Sequence, residues 1–174
     1  MPHIIEGSYQ GKGLKIGVVV SRFNELITKA MLEGALNELR RIGVSESDLH
    51  VIWVPGAYEI PFACQSLIQS KSPDALVAIG CIIRGETSHY EHIAQGVVDG
   101  IQKVVLAFKI PIGLGVITVE NLGQAMERSG GKQGNKGRDA AKSAVEMVQV
   151  MHQLENRQDK EIRLKEFIER ELKK

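Results

Sequence analysis

An uninterrupted run of apolar and small residues from Ala75 to Ile83 leads directly into Arg84-Gly85-Glu86-Thr87-Ser88-His89. A β-branched run of this length without polar alternation fits a strand covered on both faces, as in a parallel sheet. Ser88 followed three residues later by Glu91 predicts a capping box, and so a helix that starts at Ser88 with His89 in its first turn. Free backbone N–H groups at such a start favour an anion. Strand C-terminal ends in α/β sheets are also where ligands bind. One reading is therefore a proton-transferring His89 beside an oxyanion or phosphate site. The other is a plain helix cap with His89 on the surface. The turn alone leaves both open.

The same strand-to-helix grammar recurs along the chain. Leu14 to Ser21 reads as the first central strand, ending in Arg22-Phe23-Asn24. Asn24 is positioned to cap a helix over Glu25 to Arg41, which Gly43 closes. Phe23 then sits at the strand edge, either as a core plug or as a stacking platform for a flat ligand. His50 to Val54 is a second strand, ended by Pro55-Gly56. Pro61 suits the first turn of the next helix, leaving Ala57-Tyr58-Glu59 as a loop in which Glu59 can cap that helix. After the third strand, a helix runs to about Phe108, Pro111 stops it, and Ile112 to Thr118 forms a fourth strand. Asn121 caps a short helix to about Ser129, and a further helix continues from Asp139. This alternation implies right-handed crossovers and a parallel sheet. The expected fold is α/β: a three-layer α/β/α sandwich with a four-stranded parallel sheet in flavodoxin-like strand order, one domain over residues 1–174.

Charge and cysteine usage remove several classes of function. A net charge of +1 over 174 residues gives no global electrostatic case for nucleic acid or an anionic membrane. No run approaches the ~20 apolar residues of a membrane span, and Met1 to Gly13 lacks the features of a signal peptide. A cytoplasmic location is the expectation. Cys64 and Cys81 form no CxxC motif and sit in apolar segments, so buried reduced thiols are expected. His89 and His92 flank Glu91 without HExxH spacing, and no metal is expected.

Three segments carry alternative readings. Met1 to Gly13 is either a free arm or a strand added to a neighbouring subunit. From Arg128 to Arg138 the chain has four basic residues and no acid, with glycines between them. It does not match a P-loop, and it reads either as a phosphate nest built on Arg128, Lys132 and Lys136 or as a solvated basic loop. Gln153 to Lys174 is a charged helical tail. It has an apolar stripe of Leu164, Phe167, Ile168 and Leu172, and pairs such as Glu161 to Lys165, so it must dock or fray.

The segments VVVSRFNELIT, WVPGAYEIPFA, GCIIRGETSHYEH and QAMERSGGKQGNKG resemble, in order and spacing, the signature segments of the 6,7-dimethyl-8-ribityllumazine synthase family. The resemblance covers about Ile16 to Met147. It implies a transferase of riboflavin biosynthesis. The reaction condenses 5-amino-6-(D-ribitylamino)uracil with 3,4-dihydroxy-2-butanone 4-phosphate and releases phosphate and water, without a cofactor. It implies that Phe23 stacks on the pyrimidine ring, that Ala57, Tyr58 and Glu59 hold the ribityl chain, and that Cys81, Ile82 and Ile83 line the ring pocket. Glu86 and Thr87 match the turn that binds the butanone phosphate, and His89 matches the proton-transfer residue. From a neighbouring subunit, Arg128 would bind the phosphate with Lys136 nearby, and Leu114 would close over the ring.

The resemblance further implies a homo-oligomer with sites between subunits: a pentamer, and in many relatives an icosahedral shell of sixty subunits. Riboflavin synthase is a candidate partner. Many relatives carry Phe at the Leu114 position and at the Tyr58 position, and many have a shorter tail. A different class of function, a non-catalytic lumazine or flavin carrier or storage cage, would use Phe23 and the ribityl loop equally well. It would have no need of the phosphate set.

Overall fold

A computed structural model describes Pro2 and residues 4–172 of the chain, with side chains among them up to Glu155. Four strands, β1 (Ile16–Ser21), β2 (Leu49–Val54), β3 (Ala75–Ile83) and β4 (Ile112–Val119), form one sheet in the order β2-β1-β3-β4. Every pairing in it is parallel; Val20, for example, stands between Trp53 and Ile79. The crossovers are the helices α1 (Glu25–Arg41), α2 (Ile60–Lys71) and α3 (His89–Phe108). A short α4 (Leu122–Arg128) leads into a hairpin of β5 (Ser129–Gly131) and β6 (Gly134–Asn135), and then α5 (Lys136–Leu172). The layers and the strand order agree with the α/β/α expectation.

Both faces of the sheet are covered, which is why β1 and β3 show no polar alternation. Ile16, Val18 and Val20 turn to one side and pack with Met31 and Leu39 of α1 and with Ala141 and Val145 of α5. Val19, Leu76 and Ala78 turn to the other, against Ile60, Cys64 and Leu67 of α2 and Val97 of α3. Helix α5 approaches very closely. Gly113 of β4 faces the Ala140 carbonyl and Gly137 faces the Met31 carbonyl, with no room for a Cβ at either position. Gly43, at φ 97°, ends α1 in the left-handed conformation expected of it.

One expected boundary needs correction here, and one open reading narrows. The run GGKQGNKG is a tight hairpin, and α5 begins at Lys136 instead of Asp139. Asn135 is the cause: its Oδ1 accepts from Arg138 N at 3.0 Å as an N-cap, while its Nδ2 donates to the carbonyls of Ala30 (2.9 Å) and Ser129 (3.0 Å). The N-terminal arm is not free within the described residues. Gly11 N donates to Ile42 O, and the side-chain amides of Gln149 and Gln153 donate to the carbonyls of Gln10 and Glu6, each at 2.7 Å, so the arm lies along α5. Helix α5 continues without a break to Leu172. The apolar stripe of Leu164, Phe167, Ile168 and Leu172 and the Glu161–Lys165 pair lie outside the described side chains. Among the described residues no helix is long and apolar enough to cross a membrane.

Candidate active site

The C-terminal ends of β1, β2 and β3 open onto a cavity of about 390 Å³. Its first wall is Phe23. Beyond β1 the backbone keeps pairing with the β2 exit, Arg22 N to Val54 O at 2.8 Å and Phe23 N to Pro55 O at 3.0 Å. Asn24 then turns the chain into α1 in the left-handed conformation (φ 60°, ψ 44°). Its carbonyl accepts the first helical N–H groups, but its side chain does not cap. Instead Nδ2 donates to the Cys81 carbonyl at 2.8 Å, a partner brought within reach only when β1 and β3 pair. Phe23 is thereby held 70% exposed at the cavity and is not a core plug.

The second wall is a 3-10 turn over Ala57–Glu59. Glu59 Oε2 accepts from Gly56 N at 2.9 Å, so this carboxylate closes the turn and does not cap α2. Ala57 and Tyr58 line the cavity; Glu59 does not. The floor is the end of β3, from Cys81 to Ile83. Burial pushes the Cys81 thiol up to about 11 and the Cys64 thiol to about 12, so both remain protonated near neutral pH.

The rim is the turn from Gly85 to Ser88 and the start of α3. Thr87 and His89 line the cavity; Glu86 is exposed and does not. His89 is the first residue of α3, as the sequence indicates, but the capping box does not form. The Ser88 side chain makes no cap bond, and Glu91 turns instead to Arg84, Oε1 to Nη1 at 3.1 Å. Arg84 Nε also pairs with Glu120 Oε2 at 2.8 Å, and its guanidinium lies 4.7 Å from the centroid of the Tyr90 ring. The Glu91 bond and then the Glu120 bond hold this guanidinium above its already high range. Among the described residues no group of three or more His, Cys, Asp or Glu side chains is arranged to hold a metal ion.

Leu114, Arg128 and Lys136 lie elsewhere on the chain. Leu114 and Lys136 border a separate hollow between β4 and α5, where Lys136 Nζ pairs with Asp139 Oδ2 at 2.8 Å. Arg128, at the end of α4, donates to the Gln124 carbonyl at 3.3 Å and borders neither space. Sequence reasoning did not single out Gly56, Gly85, Tyr90 or Ile93, which also line the cavity. Tyr90, Ile93 and Val97 share one face of α3 at i, i+3 and i+7. That spacing was a readable signal.

The fold and the cavity together define a three-layer α/β protein with a cavity at the carboxyl edge of its sheet, the edge at which sheets of this kind bind small molecules. The family model described as 6,7-dimethyl-8-ribityllumazine synthase matches residues 13–152. A Pediococcus pentosaceus protein named 6,7-dimethyl-8-ribityllumazine synthase is 44% identical over 144 residues, covering 83% of this chain and 92% of the relative. The chain belongs to the 6,7-dimethyl-8-ribityllumazine synthase family.

Proposed function

We propose that this protein condenses 5-amino-6-(D-ribitylamino)uracil with 3,4-dihydroxy-2-butanone 4-phosphate to 6,7-dimethyl-8-ribityllumazine. The observation that carries the site assignment is the cavity itself: an exposed Phe23 ring, the edge of β3 from Cys81 to Ile83, and His89 at a helix start border one space sized for a small molecule. The pyrimidine stacks on Phe23, with its polar edges toward the β3 backbone. The ribityl chain lies along Ala57, Tyr58 and Glu59. Glu86 and Thr87 sit in the turn that receives the phosphate.

The chemistry needs a positioned amine and a proton shuttle. The amine of the uracil attacks the ketone, and the resulting imine forms as water leaves. Phosphate departs by elimination, and the ribitylamino nitrogen closes the second ring with loss of water. His89 moves protons to and from the oxygen and carbon centres in these steps, a contribution typically worth ~10²–10⁴-fold. Holding the two substrates together supplies much of the remaining acceleration.

None of the described residues lining the cavity is Lys or Arg, although one substrate carries a phosphate. Arg128, Lys136 and Leu114, all outside the cavity of their own chain, complete the site of an adjacent copy in a homo-oligomer. A cyclic pentamer fits this arrangement, with a sixty-subunit shell and riboflavin synthase as further levels of assembly. Arg128 is suited to grip phosphate bidentately.

The test is direct. Purified protein mixed with both substrates is expected to produce the lumazine chromophore together with inorganic phosphate. Ligand binding without either product would overturn the enzymatic reading in favour of a carrier.

A further inference from the structure

Outside the groups assigned to substrate, one side chain makes more ties at the rim of the cavity than any other described there. Arg84 is the first residue past β3. Its backbone N–H extends the β3–β4 ladder by one bond, to Val119 O at 2.9 Å. Its side chain then reaches three groups on two further segments: Glu120 at the exit of β4 (2.8 Å), Glu91 in the first turn of α3 (3.1 Å), and the face of Tyr90 in that same turn. The turn it spans is otherwise weakly held. From Gly85 to Ser88 every residue is exposed, and a Cβ at Gly85 would meet nothing within 4 Å. The only side-chain bond described within that turn is local and long, from His89 N to Thr87 Oγ1 at 3.4 Å. Helix α3 also starts without a side-chain cap. Apart from the partial burial of Tyr90 and Ile93, Arg84 is what ties the first turn of α3 to the sheet.

We infer that Arg84 is a positioning residue for His89: by joining Glu120, Glu91 and Tyr90 it fixes where the imidazole stands over the cavity floor. This rests on the His89 assignment made above. Arg84 and both its carboxylate partners are substantially exposed, so the network adds little to global stability. Its effect falls on geometry, where a displacement of about 1 Å can cost up to ~10²-fold in rate. Lysine is a poor substitute, because its ammonium can pair with carboxylates but lacks the rigid planar fork that fixes their directions and lies over the Tyr90 ring.

The experiment is a double-mutant cycle on the full-length assembly, measuring kcat and KM for each substrate. Arg84→Met is expected to lower kcat roughly tenfold. KM for the pyrimidine should stay within about twofold, and the melting temperature should be nearly unchanged. Arg84→Lys should fall between the two. In a His89→Ala background, Arg84→Met should cost nothing further, since there is no imidazole left to place. Should Arg84→Met fail to fold, Glu120→Gln removes one tie only and should show a smaller kcat loss with the same non-additivity. If the Arg84 and His89 losses multiply, or the Arg84 loss appears wholly in KM, the positioning role is wrong while the site assignment stands. If His89→Ala itself keeps wild-type kcat, the His89 assignment fails and this inference fails with it.

Discussion

The side-chain amide of Asn24 donates to the main-chain carbonyl of Cys81 at 2.8 Å, joining the residue that follows Phe23 to the strand that forms the cavity floor. One wall of the cavity and its floor are thus joined by one hydrogen bond and one left-handed residue. Asn tolerates that conformation better than other non-glycine residues. Asn24→Gly keeps the backbone geometry and loses the bond, whereas Asn24→Ala loses the bond and adds roughly 1–2 kcal/mol of backbone cost. Urea melts should rank wild type above Gly and Gly above Ala, and both variants should bind the pyrimidine substrate more weakly. Equal melts for Gly and Ala would show that the backbone conformation costs nothing at this position.

Glu38 is the buried carboxylate between α1 and α5. It accepts from Arg41 at 2.6 and 3.1 Å and lies 3.8 Å from Lys142. The Arg41 bond, opposed by burial and helped by Lys142, holds its carboxyl below the usual range. A pKa lower in the folded than in the unfolded state contributes stability that is present above the unfolded value and is lost as pH falls through the folded one. Unfolding free energy should therefore decline on acidification through and below the ordinary carboxylate range. Glu38→Gln should be less stable at neutral pH and should converge with wild type in acid; parallel profiles would count against this assignment.

Asn135 holds the hairpin, α1 and α5 together through three side-chain bonds. Asn135→Ala strands two carbonyls and an N-cap, at a cost of about 2–4 kcal/mol. Asn135→Asp keeps the cap but points carboxylate oxygen at carbonyl oxygen, and should recover little. Denaturant unfolding of the two variants measures both effects.

His89→Ala should reduce the chemical step by ~10²–10⁴-fold while leaving substrate affinity nearly unchanged. Single-turnover kinetics with an unaltered chemical step would remove His89 from proton transfer.

Phe23 and Arg128 test whether the site is shared between subunits. Phe23→Ala and Arg128→Ala should each damage every site of their own homo-oligomer. Co-refolding the two at equal amounts should leave about one site in four with both residues intact if they come from different chains, restoring roughly a quarter of wild-type activity. Mixed assemblies, verified by mass, that stay as inactive as the separate variants would place both residues in one chain.

Where a segment's conformation follows from its own pattern, the sequence was sufficient. The apolar run Ala75–Ile83 had the length and β-branched content of a doubly covered strand, and the helical spacing between Asn24 and Gly43 set α1 at Glu25–Arg41. The strand-to-helix order also located the carboxyl edge of the sheet, with Phe23 and His89 on it; that Ala57, Tyr58 and Cys81 border the same cavity was implied by the family resemblance and not by the pattern. Polar side chains were misread wherever a distant group offered a better partner than the neighbouring backbone. Asn24 turned from its helix to Cys81 and Glu91 from Ser88 to Arg84; Asn135, which the sequence had not singled out, reached across to Ala30 and capped α5 early. Each of these partners is 7 to 105 residues away in sequence, and for Asn24 and Asn135 strand pairing and helix docking are what bring them within 3 Å. A side-chain donor or acceptor chooses among everything within reach after folding. Local pattern therefore determined the elements and their order, and tertiary packing alone decided which polar groups hold the site in shape.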